Sequence, residues 1–139
     1  MTNHLPGRHL LHNALGFAAA ARHVASMPGC HAGELLLQNL GNAIELSLKS
    51  ILQAHGWSDD RCRREIRHDL VTALGAAERL GFRPSEPALA PFVALLSPFH
   101  RSHRLAALSA RTSQAAFYDD AVAMTEQLLR DIVLWLPRP

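Results

Sequence analysis

A chain of 139 residues fits one domain able to bury a core without disulfides or a structural metal, so a single domain over 1–139 is expected. Its 48% hydrophobic and 19% charged residues exclude a disordered chain, and the scarcity of aromatics beside many alanines and leucines favours helix. A formal charge of +2 excludes identifying a nucleic-acid binder from the total, so any such argument must rest on where the charge sits.

From about His9 to Met27, Leu11, Leu15, Ala18, Ala19, Arg22 and Ala25 recur at helical spacing, and Pro28-Gly29 ends the pattern. A second helix is expected from about Ala32 to His55. Its apolar stripe holds Leu37, Leu40, Ile44, Leu48 and Ile51, and Gln38, Asn42, Glu45, Lys49 and Gln53 lie on the far side. Gly56 stops it. Ser58 with Asp59 and Asp60 reads as an N-cap and acidic first turn, so a short helical segment is expected to carry Arg61 to Arg64.

Asp69 caps a further helix with Leu70, Val71, Leu74 and Ala77 inward and Thr72, Ala73, Ala76, Glu78 and Arg79 outward, ended by Gly81-Phe82. That outward face is poor in groups that reach base edges, which weighs against a DNA-reading helix. The three prolines of "FRPSEPALAP" mark a connection. Phe92, Val93, Leu95 and Leu96 then predict a helix that Pro98 cuts off. "FHRSHRLAALSARTSQ" shows no clear period, and Tyr118 to Leu136 returns to helical spacing. With no alternating strand pattern, the fold class is all-α, an up-and-down bundle of four to five helices.

Cys30 and Cys62 have neither the density of a disulfide scaffold nor the spacing of a zinc finger, and a cytoplasmic location is expected. "LGFAAAARHVASM" is too weakly apolar for a signal sequence and is interrupted by Arg22 and His23, so it reads as helix. No run approaches the roughly 18 consecutive apolar residues of a membrane span, so no membrane partner is expected.

The run "RCRREIRH" concentrates Arg61, Arg63, Arg64, Arg67 and His68. It reads either as solvated charge paired with Asp59, Asp60 and Glu65, or as a phosphate cradle of forked guanidinium donors. Lys49, a helical turn beyond Glu45, likewise reads as an ordinary i,i+4 pair or as a further phosphate contact oriented by that acid. His68 supplies an imidazole that could move a proton, or one that merely satisfies a nearby backbone group. His9/His12 and His100/His103 are each spaced to share a helical face towards a metal, but no HExxH or carboxylate-histidine pattern accompanies them, so neither metal nor cofactor is expected. Phosphate-loop, dinucleotide and nucleophile-elbow signatures are absent from the sequence.

"NAIELSLKSILQAHG", followed after a short stretch by "HDLVTALGAAERLGF", resembles the HEPN superfamily of small helical proteins over about residues 42–82. The resemblance implies an up-and-down bundle that often dimerises, in defence, stress or toxin–antitoxin settings. A homodimer is therefore expected, with RNA or a nucleotide as ligand and an antitoxin or nucleotidyltransferase as protein partner. Some such proteins cut RNA without a metal through an arginine four to six residues before a histidine, and Arg63 or Arg61 with His68 fits that spacing. The resemblance then implies attack by the RNA 2′-hydroxyl, with His68 moving the proton and the arginine stabilising phosphorane charge. Other members only bind. The first expectation is a binding or regulatory module using Lys49, Arg61, Arg64 and Arg67 on phosphate. A metal-independent endoribonuclease is the alternative, and a structural interaction protein using Leu35 and Leu46 as a second packing surface is a third.

Overall fold

The structure, a computed structural model, describes residues 5–27, 32–112 and 114–138. Among them the chain is all-helical, with seven helices in the order α1 (Arg8–Ala25), α2 (Gly33–Ala54), α3 (Asp59–Glu65), α4 (Leu70–Arg79), α5 (Leu89–Arg101), α6 (Leu105–Arg111) and α7 (Ala115–Trp135). The count exceeds four to five because the short helical segment expected over Arg61–Arg64 forms a separate helix, α3, and the aperiodic stretch holds the end of α5 and all of α6. The expected stop at Pro28-Gly29 lies outside the described residues, as does Cys30. No helix is long and apolar enough to cross a membrane among the described residues.

Helix α2 is the axis of the fold, packing against each of the other six. Leu37, Leu40, Ile44, Leu48 and Ile51 are fully buried, as the stripe predicts. Each such side chain contributes roughly 1.5–3 kcal/mol. Because neighbours surround the helix, its other side is largely covered too, and Glu45, Ser47, Ser50 and Gln53 are buried. That corrects the expectation of an open polar face. These groups stay inside because each finds a partner. Ser47 donates to the Ile44 carbonyl at 3.0 Å, Ser50 donates to the Ser47 carbonyl, and Gln53 donates to Asp59 at the start of α3.

Helix α1 docks through small residues, since Ala14, Ala18 and Ala21 are buried while Leu15 is exposed. Gly7 begins it with φ 83°, and a Cβ there would crowd Gln53 and the Ser50 backbone, so the start of α1 lies against the end of α2. Leu46 packs on the Ala14, Ala18, Ala43 and Leu129 cluster within the chain, whereas Leu35 is exposed. On α7, Trp135 stacks on His55 at 5.0 Å and meets Phe82 edge-on at 5.7 Å, closing the bundle end.

Helix α4 is rotated from the expected facing. Ala73 and Ala76 are buried and Val71 is exposed, because small residues allow close approach to α2 and α5. Helix α5 continues through Pro98 to Arg101. The N–H that Pro98 lacks would have reached the carbonyl of Ala94, and both residues are exposed, so water can serve that carbonyl and the helix persists.

Candidate functional site

The buried carboxylate of Glu45, midway along α2, is the centre of the most connected polar cluster. Lys49 donates to Oε2 at 2.7 Å, one turn further on the same helix. His68, from the turn between α3 and α4, places Nδ1 2.9 Å from Oε1, and His100 on α5 places Nε2 2.9 Å from the same oxygen. A carboxylate can only accept, so each imidazole nitrogen facing it carries a proton, which fixes both tautomers. Burial alone would push the Glu45 carboxyl up. The bonds from His100 and Lys49, with that from His68, more than offset it and hold the group at about 2.

Two local features bring the imidazoles there. Gly41, one turn before Glu45, lies under the His100 ring, and a Cβ at that position would come within 2.9 Å of Cε1 and nearer still to Nδ1. Glycine in mid-helix is unfavourable by about 1 kcal/mol against alanine, and the room it leaves for His100 explains its presence. Arg67 and His68 both adopt left-handed backbone, with φ 50° and 62°, and His103 does so with φ 58°. These are the non-glycine residues with positive φ among the described residues, and all lie at or beside one cavity. Strain of this kind costs about 1–3 kcal/mol per residue and persists where the surroundings impose it.

Asp69 anchors the turn. It caps α4 by accepting from the Thr72 N–H at 3.1 Å, accepts from the Ser97 hydroxyl at 3.2 Å, and meets Arg101 at 3.4 Å. Burial raises its carboxyl, but the Thr72 and Ser97 bonds prevail and hold it below the ordinary range. Ser97 also accepts from the Leu70 N–H at 2.9 Å, so the start of α4, directly after His68, is fastened to α5 at Ser97 and Arg101, on either side of His100.

The cluster opens on a cavity of ≈ 240 Å³ lined by Glu34, Gln38, Asn42, His68, His100, His103 and Leu105. His100 is buried, whereas the His68 side chain is 58% exposed, so His68 carries the cluster to the surface. Its ring lies 6.4 Å from that of His103.

The basic residues singled out in the sequence divide by partner. Arg61 pairs with Glu65 at 2.6 Å and lies over the Trp57 ring, and Arg64 pairs with Asp60 at 2.8 Å, both across one turn of α3. Lys49 is taken up by Glu45 and is only 14% exposed. Arg67 donates to the Arg64 carbonyl, which leaves its charge uncompensated. Arg63 is exposed, and no hydrogen bond or ion pair engages it among the described residues. Arg104, next to His103, is likewise exposed and has no ion pair among the described residues.

In the sequence, Glu45–Lys49, His68 and the His100/His103 spacing stand as separate features, because His68 and His100 lie 23 and 55 positions beyond Glu45 and meet it only through packing. His9 and His12 are exposed on α1. Cys62 is buried, which pushes its thiol up and away from nucleophile chemistry. Compared with known proteins, the chain matches no family model, no curated protein and no solved structure.

Proposed function

We propose that the protein is a HEPN-like binding or regulatory module whose ligand is RNA or another phosphate-bearing partner, acting as a homodimer in a cytoplasmic defence, stress or toxin–antitoxin setting. The observation that carries the reading is His68, an exposed imidazole held by a buried carboxylate at the mouth of a polar cavity. Phosphate recognition needs donors and uncompensated positive charge. Arg67 directly precedes His68, Arg104 directly follows His103, and Arg63 stands one turn before Arg67; none of the three is neutralised by a carboxylate among the described residues. Arg61, Arg64 and Lys49, already paired, serve as supports of this surface and contribute less net charge to it.

One observation favours cleavage as a second reading. With Nδ1 of His68 committed to Glu45, Nε2 is left to take the 2′-hydroxyl proton, and His103 stands within reach to protonate the leaving oxygen. Arg63 or Arg61 would then stabilise the phosphorane. The two readings separate on single-stranded and structured RNA with chelator present, comparing wild type with His68→Ala and Arg63→Ala. Binding that weakens steeply with salt and leaves the RNA intact supports the module, and cleavage abolished in the variants supports the nuclease. Absence of binding at low salt overturns both and favours the structural interaction protein.

A further inference from the structure

We propose that Glu45, His68 and His100 form a binding site for a single borderline divalent cation of the zinc class, with Oε1, Nδ1 and Nε2 as its three protein ligands. Those atoms all lie within 4.8 Å of one another, and each histidine nitrogen is 2.9 Å from Oε1. In tetrahedral zinc with bonds of 2.0–2.1 Å the ligand atoms stand about 3.3 Å apart, so small side-chain rotations convert the hydrogen-bonded cluster into a coordinated one. The cation takes the place of the two protons facing the carboxylate, and each proton passes through solvent to the other nitrogen of its own ring, so both imidazoles bind as neutral ligands. Two imidazoles and one carboxylate select zinc, cobalt or nickel over magnesium and calcium, which require oxygen.

The surroundings resemble those of a built site. Gly41 gives His100 its place, the left-handed backbone of His68 turns its ring back onto α2, and Lys49 fixes the outer oxygen Oε2 without occupying Oε1. The Lys49 ammonium opposes a second positive charge nearby, so the site is expected to be weaker than an all-anionic cage. The cavity on the Gln38, Asn42 and His103 side leaves space for a fourth ligand, as an exchangeable water or an anion requires. The inference goes beyond the phosphate-ligand reading, since it requires no nucleic acid.

The test is calorimetric titration of the full chain with Zn2+ alone, together with the visible d–d spectrum of Co2+. One ion per chain is expected, with cobalt bands of low-coordinate, nitrogen-containing geometry and no response to Mg2+. His68→Asn should weaken binding about tenfold or more. Asparagine tolerates left-handed backbone, so this variant keeps the fold while removing the imidazole ligand. Glu45→Gln should act in the same direction, and His9→Ala/His12→Ala should leave binding unchanged. Absence of Zn2+ binding, binding indifferent to His68→Asn, or binding abolished with His9 and His12 overturns the proposal. Because no RNA enters the measurement, its outcome is separate from that of the RNA test.

Discussion

Glu45 Oε1 and His100 Nε2 lie 2.9 Å apart, both on buried side chains, and they join the central helix to α5 through a charged contact in the interior. Removing one partner of such a contact is expected to do more harm than its formation does good, because the groups left behind are buried without compensation. For Glu45→Ala the groups stranded in the interior are Lys49 and the His100 imidazole, and a loss of about 3–5 kcal/mol is predicted, measured by urea unfolding. A loss below about 1 kcal/mol would contradict the buried-network description.

The same carboxylate sets an acid limit. Its folded value of about 2 is depressed from an ordinary 4.5, so its contribution is complete above about pH 4.5 and disappears as pH falls towards 2. At about 1.36 kcal/mol per pH unit this interval corresponds to about 3 kcal/mol. Unfolding free energy measured between pH 5 and pH 2, a range of roughly this span, should therefore fall more steeply in wild type than in Glu45→Gln. Parallel curves would show that the carboxylate is not the group responsible.

Gly41→Ala opposes two effects of known size. Alanine improves an interior helical position by about 1 kcal/mol, and the new Cβ would drive the His100 ring off Glu45. The second effect is predicted to win, giving a lower melting temperature and a shifted His100 imidazole resonance. Gly75, also within a helix, has nothing within 4 Å of an added Cβ, so Gly75→Ala should raise stability instead.

These residues also show how much was legible in advance. The Ser58 and Asp69 caps, the Gly56 and Gly81 stops and the apolar stripe of α2 are local signals, and the structure carries each of them. The burial of Glu45 is not local. It depends on six neighbours surrounding α2, and a helix with polar groups at Glu45, Ser47, Ser50 and Gln53 reads as half-exposed until those neighbours are placed. Likewise the persistence of α5 through Pro98 depends on Ala94 facing solvent, which no periodicity argument over so short a segment could fix. The site was visible as parts, and its assembly required the packing.

For the RNA reading, charge compensation predicts an ordering among the arginines. Removing one cation that neutralises a phosphate should reduce the slope of log affinity against log salt by about one. Arg63→Ala and Arg67→Ala remove charges without a carboxylate partner among the described residues and should each show that change. Arg61→Ala and Arg64→Ala remove cations already paired with Glu65 and Asp60, and should change the slope less. Equal effects at all four positions would mean that the α3 pairs dissolve on binding.

Asp69 joins fold to site, since it caps α4, accepts from Ser97 on α5 and immediately follows His68. Asp69→Ala removes the cap and should destabilise by about 0.5–2 kcal/mol, whereas Asp69→Asn keeps an oxygen for the Thr72 N–H and should recover most of it. The negative charge itself is addressed separately, because asparagine abolishes the contact with Arg101 at 3.4 Å, an exposed pair of small value. If the aspartate acts by geometry, Asp69→Asn will melt close to wild type and retain the His68–Glu45 contact, visible as an unchanged His68 imidazole resonance. If Asp69→Asn melts with Asp69→Ala, the charge rather than the cap holds the turn, and the placement of His68 would have to be sought in the field around Arg101.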